Sequence, residues 1–340
     1  MGRTNVVQKE SFAMKHSQGI LRGFHILPFI FAAEAALVLS VAGVGPAAAS
    51  SSTWEGPRSW TVQVGSESWD QGIQGMAFLP SDITVNKGDT ISWEANSAEI
   101  HTVTFLASGQ SLESLQPFNP AVSDELLKRG GDSYDGKAYY NSGLLSNVEV
   151  PGFPVTKSYS LTFPAEGDFT YWCLVHGMAM KGTVHVQEEG SDYPHSQRDY
   201  DRSSRAQERS ILSDGYELED ALAEQASDHK VLAGDDDGIA MVMRFVQATV
   251  TVHVGDTIEF LNPGMGAPHT VTFGAEPADI FAPSGDPAHF SSGNLNSGII
   301  PGNAGPHSTF AVTFTAKGTF KYICALHDYM GMVGEVTVIE

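Results

Sequence analysis

The ten residues YWCLVHGMAM, Tyr171 to Met180, hold a thiol (Cys173), an imidazole (His176) and two thioethers (Met178 and Met180) between two runs that read as β-strands. Soft and borderline donors gathered in so short a turn are suited to a transition metal. The same set returns downstream: FTYWCLVHGMAMKGTVHV matches FKYICALHDYMGMVGEVTV, which carries Cys324, His327, Met330 and Met332. The repeat reaches further back. GDTI begins at Gly88 and Gly255, HTVTF follows 13 and 14 residues later at His101 and His269, and NSGLL at Asn141 matches NSGII at Asn296. Two homologous domains therefore each carry one cysteine at an equivalent place, so a Cys173–Cys324 disulfide, the ordinary expectation for two cysteines in an exported chain, is not expected.

Each copy can assemble one thiolate, two imidazoles and a thioether: His101, Cys173, His176 and Met180 in the first, His269, Cys324, His327 and Met332 in the second. A thiolate and two imidazoles in a trigonal plane with a long axial Met is an arrangement that suits copper, whereas zinc usually recruits a harder fourth ligand or a second thiolate. Met180 and Met332 are preferred to Met178 and Met330 as axial ligands because each stands two before a glycine that opens the returning strand. The spare methionines read as apolar filling. His176 to Met180 is four residues and His327 to Met332 five, so the two ligand loops differ in length. Thr102 and Thr270, beside the first histidine of each set, are candidates to support it.

The elements that must position these residues are short, β-branched and punctuated by glycine: ITVNKGDTISW, YSLTF, TVHV, VTVHVGDTIEF, FAVTFTAKGTFKYIC and GEVTVIE. Strands at this spacing over about 100 to 130 residues predict β-sandwiches. The expected organisation is all-β: a first domain over 60–188, an acidic linker over 189–238 and a second domain over 239–340. Gln187 to Asp237 holds 15 Asp/Glu against 5 Lys/Arg with almost no strand pattern, and reads as solvated, with one short helix around Asp214 to Ala226. The first domain is longer between His101 and Cys173, and its insert, SDELLKRGGDSYDGKAYY, reads as surface elaboration.

At the ligand residues both halves resemble cupredoxins of the plastocyanin, pseudoazurin and amicyanin type. The motifs that carry the resemblance are Cys173-Leu-Val-His176 and Cys324-Ala-Leu-His327, with Met180-Lys-Gly182-Thr-Val184 and Met332-Val-Gly334-Glu-Val336 behind them. It covers nearly the whole chain apart from the linker and the N-terminus. It implies two tandem eight-stranded Greek-key sandwiches, a type 1 blue copper at one end of each, and one imidazole edge, His176 or His327, reaching the surface as an electron port. Where the family usually has Pro before the loop histidine, this chain has Val175 and Leu326.

With 340 residues, a formal net charge of -21 and a pI near 4.8, the chain lacks the clustered Lys and Arg of a nucleic-acid surface. The charge favours a basic redox partner or a salty or acidic habitat. Residues 1–49 read as an export signal: basic residues, the apolar run ILPFIFAAEAALVLSVAGV, then AAAS. The rival reading is an uncleaved anchor, the one route to a membrane, opposed by Glu34 within the run. The place expected is the periplasm, cell surface or extracellular space. Copper nitrite reductases and multicopper oxidases, the enzymes built from such domains, carry His directly before the ligand Cys; here Trp172 and Ile323 stand there, and no His-x-His pair occurs. His185, His195, His229, His253, His289 and His307 read as surface or strand histidines. One-electron transport is the expected function, with a copper oxidoreductase or a copper storage or delivery protein as alternatives.

Overall fold

A computed structural model describes residues 56–302 and 308–340; the expected export signal, and His307, lie outside them. Each half is a two-layer β-sandwich. In the first, one sheet runs Ser158–Thr162, Thr90–Ala95, Ser59–Glu67, Ile73–Leu79, and the facing sheet runs Asp82–Asn86, Gly177–Gln187, Gly167–Cys173, Thr104–Phe105, Tyr140–Ser142, Lys128–Arg129. The second half repeats this order: Thr309–Thr313, Thr257–Leu261, Lys230–Asp236, Ala240–Val246 in one layer and Thr249–His253, Val333–Ile339, Gly318–Ile323, Thr272–Phe273, Leu295–Asn296 in the other. The inward positions fill equivalent aromatic cores. Tyr171, two residues before Cys173, meets Trp93 at 5.3 Å between ring centroids, and Tyr322, two before Cys324, meets Phe260 at 5.2 Å. The two-residue period of a strand thus turns each cysteine inward beside its tyrosine, and all four are buried.

The halves join edge to edge. Ile73–Leu79 pairs antiparallel with its counterpart Ala240–Val246, matching Gly75 to Ala240, Gln74 to Met241 and Ile73 to Val242. One eight-stranded sheet therefore runs through both sandwiches, and its central pairing is of equivalent strands, as in an isologous contact.

The stretch expected to be a solvated linker is instead structured. Ser196 caps a 29-residue helix, Gln197–Gln225, through a reciprocal capping box with Asp199. Its buried residues, Tyr200, Ser204, Ile211, Gly215 and Leu222, recur at intervals of four and seven and so form one stripe. That stripe lies on the shared sheet, against strands of both halves. The pattern is hard to read in sequence because two of its five positions are Ser and Gly. The short helix expected near Asp214 is the end of this longer one. The second sandwich begins nine residues before 239, at Lys230, because the brief VLAG run enters the sheet beside Ala240–Val246. Gly215 lets the helix sit close: a Cβ there would stand 2.2 Å from Ile73 Cγ2. Gly215→Leu should therefore lose roughly 1–3 kcal/mol of stability through overpacking despite its better helix propensity, read as a lower urea midpoint.

The insert of the first domain is folded onto its sheet edge. Lys128–Arg129 pairs with Tyr140–Ser142, and Tyr134 is buried with its ring 4.4 Å from that of Phe105. What reads as surface elaboration thus also extends the core.

Candidate metal centre

Cys173 ends one strand and Cys324 follows another; from each, the chain turns through its loop histidine and returns as the neighbouring strand. The remote histidines are pinned from the side. His101 exchanges backbone hydrogen bonds with Leu145 at 2.9 and 2.8 Å, and His269 with Ile300 at 3.1 and 2.7 Å. In the first half, Cys173 Sγ lies 3.3 Å from His176 Nδ1 and 3.9 Å from His101 Nδ1. In the second, Cys324 Sγ lies 3.4 Å from His327 Nδ1 and 3.8 Å from His269 Nδ1. Among the described residues these are the two groups of at least three His, Cys, Asp or Glu whose donor atoms all fall within 4.8 Å. Met180 and Met332 are buried in the same clusters as Cys173 and Cys324 respectively. Met178 points outward, 65% exposed, and Met330 is buried against the first sandwich rather than its own.

Both centres share their supports. The Thr102 N–H faces Cys173 Sγ at 3.3 Å and the Thr270 N–H faces Cys324 Sγ at 3.4 Å, hydrogen bonds that favour a thiolate. The Leu174 N–H donates to Thr102 Oγ1 (2.8 Å), which adjoins Thr104 Oγ1 (2.9 Å), which in turn donates to Asn141 Oδ1 (3.1 Å). Ala325, Thr270, Thr272 and Asn296 repeat that chain. The asparagine of each NSG motif thus locks the histidine loop to the cysteine loop, and the supporting role expected of Thr102 and Thr270 has a geometric basis. Two further pairs were not singled out from sequence. Gly65 and Gly234 are bulge residues at φ 75° and 71°, where an added Cβ would stand 2.6 Å from His101 Nε2 and 2.5 Å from His269 Nε2. Two residues on, Glu67 accepts the Ala98 N–H, and buried Asp236 accepts those of Met265, Gly266 and Ala267, so each carboxylate shapes the loop before His101 or His269. Extending the repeat to VGSE and AGDD is the signal that finds them.

The model of copper binding proteins, plastocyanin/azurin family, matches residues 66–187 and again 229–339. The chain belongs to that family. Among similar proteins, plastocyanin from Vicia faba is 39% identical over 116 residues, and plastocyanin B'/B'' from Nicotiana tabacum 35% over 109; each alignment covers 32% of this chain and 98% of the relative. Among solved structures, oxidised plastocyanin from Dryopteris crassirhizoma aligns over 32% of this chain and 99% of its own at 22% identity (TM-score 0.23), and an oxidised amicyanin variant over 38% and 82% at 20% identity (TM-score 0.23). A plastocyanin is thus similar to about a third of this chain. The family binds copper, and the donor chemistry of the two His/Cys/His clusters fits two type 1 sites.

Each cysteine and its loop histidine shift one another's protonation in opposite directions. Burial pushes the Cys173 thiol up, but the His176 charge and the hydrogen bonds of His101 and His176 outweigh it and hold the thiol well below its ordinary value; Cys324 behaves alike, beside His327 and His269. Burial opposes charge on His176 too, yet the Cys173 thiolate and Glu99 raise it to about 10. The lowered thiol and the raised imidazole keep one proton on the Cys173–His176 pair, and a metal that takes Cys173 Sγ and His176 Nδ1 must displace it. Loading the first site at pH 7 should release about one proton, measured with a weakly buffered indicator dye in a Cys324→Ser protein.

The imidazole edges that the resemblance places at the surface open instead onto a cleft. The His176 side chain is 7% exposed and the His327 residue 7%, because the metal-bearing ends of the two sandwiches face that common cleft. The Tyr329 hydroxyl reaches the Ala98 carbonyl (3.4 Å), and Arg244 donates to the carbonyls of Met330 (2.7 Å) and Asp70, clamping the second ligand loop onto the first half. The cleft has a volume of about 490 Å³, and its walls include Phe118, Phe153, Met243 and Phe281 as well as both histidines.

Proposed function

We propose that the chain is an exported blue copper protein that carries single electrons between redox partner proteins, with type 1 sites formed by His101, Cys173, His176 and Met180 and by His269, Cys324, His327 and Met332. The observation that carries this reading is that in both halves one thiol and two imidazole Nδ1 atoms converge in a buried pocket with a thioether in the same cluster. Copper held there supplies reversible exchange of one electron. The chain's own part is to hold its donors still. Backbone hydrogen bonds fix the remote histidines, the Thr–Thr–Asn chains fix the cysteine loops, and the backbone N–H groups stabilise the thiolates. A rigid, dry donor set changes little between oxidation states, and the thioether and the N–H···S contact tune the potential. The kinship with plastocyanins supports transport rather than catalysis. The negative charge supports a basic partner, and the N-terminal signal an exported place; among the described residues no helix is long and apolar enough to cross a membrane.

The test is to express the chain, count its metals and record its visible spectrum. Two coppers per chain with an intense thiolate-to-Cu(II) band that bleaches reversibly on reduction support the reading. A colourless protein that takes zinc in preference to copper overturns it.

A further inference from the structure

Two carboxylates that are not copper ligands line the cleft between the two ends: Asp236, which is taken up by the N–H groups of Met265, Gly266 and Ala267, and Glu99. Glu99 lies two residues before His101, where the second half has Ala267 before Pro268 and His269. It is 5% exposed, its Oε1 stands 3.7 Å from His176 Nε2, and its Oε2 is buried with no hydrogen-bond partner. A carboxylate so far from water is costly unless its oxygens are met by donors. His327 lines the same cavity and turns Nδ1 toward Cys324, so its Nε2 is on the opposite edge of the ring. The contact of Tyr329, two residues after His327, with Ala98, the neighbour of Glu99, brings the two loops together.

We propose that Glu99 is a positioning residue shared by both metal centres: its Oε1, 3.7 Å from His176 Nε2, is aimed to receive that N–H, and its Oε2, which has no partner in this structure, is the acceptor open to the Nε2–H of His327, so that one carboxylate from the first half orients a ligand in each. The proposal rests on the reading of both clusters as copper sites. An imidazole that gives Nδ1 to a metal has only its Nε2–H left to donate, and a carboxylate receiving it fixes the ring and makes it a stronger donor. The single copy of this carboxylate follows from the same arrangement, because the two ends face each other and one group serves both. Its negative charge favours the higher oxidation state at each centre, and this joins the potentials of the two sites through one side chain.

The test is Glu99→Gln placed separately in full-length Cys173→Ser and Cys324→Ser backgrounds, each loaded with copper at its remaining site. Glu99→Gln should raise the reduction potential in both backgrounds, followed by spectroelectrochemical titration of the visible band. A rise with Cys324→Ser and none with Cys173→Ser overturns the sharing, and no change in either overturns the proposal. Should Glu99→Gln fail to fold, Glu99→Asp keeps the charge but draws it back, and the same upward shift is expected in smaller measure. In the reduced, diamagnetic protein the Nε2–H protons of His176 and His327 should appear as slowly exchanging resonances, both lost in Glu99→Ala; persistence of the His327 signal counts against the proposal. Backgrounds that take up no copper at all would refute the copper reading itself, an outcome distinct from a blue protein indifferent to Glu99.

Discussion

Cys173→Ser should yield a folded protein holding one copper instead of two, with about half of the visible charge-transfer intensity, and Cys324→Ser should give the complementary result. Serine keeps the volume but supplies no thiolate at neutral pH, so the soft bond that makes copper the preferred metal is gone. The halves have separate aromatic cores, and each sulfur is surrounded by its own two histidines. The remaining site should therefore retain its band. Metal analysis with absorption spectroscopy checks this, and loss of both coppers in either single variant would mean that the two sites do not form independently.

Gly234→Ala should be as damaging to the second centre as a ligand change. The backbone there is at φ 71°, which costs an L side chain roughly 1–2 kcal/mol, and the new Cβ would stand 2.5 Å from His269 Nε2 and 2.6 Å from the Val242 carbonyl oxygen. Overpacking a site with no room to relax adds roughly 1–3 kcal/mol. Gly65→Ala should do the same to the first centre, where the added Cβ meets Ser97 Oγ and His101 Nε2. Gly266→Ala, whose Cβ would meet nothing within 4 Å, is the control and should leave copper content and urea midpoint unchanged. Equal behaviour of Gly234→Ala and Gly266→Ala would show that the bulge does not seat the histidine.

What could be read from sequence was whatever the repeat displayed twice. The two His/Cys/His sets, the sandwich strands and the asparagine of the NSG motif are all marked by recurrence, and the structure gathers His101 with Cys173 across 72 positions as the repeat requires. Features that occur once were opaque. The helix Gln197–Gln225 has no counterpart in the other half and buries Ser204 and Gly215 where a hydrophobic pattern needs larger residues. Glu99 likewise stands alone, since its importance comes from a loop more than two hundred residues away. The burial of His176 and His327 depends on how the halves meet, and strand periodicity within either half carries no information about that meeting.

The long helix also changes what kind of machine this is. The seam between the sandwiches is a ladder of three residue pairs, too brief by itself to resist twisting. A helix of 29 residues, about 43 Å at 1.5 Å per residue, laid across strands of both halves works as a splint over that seam. Two carriers on a slack tether would meet in many poses and exchange charge only in some of them. Splinted together, the two halves are held by one helix as well as one seam, which narrows the poses open to them.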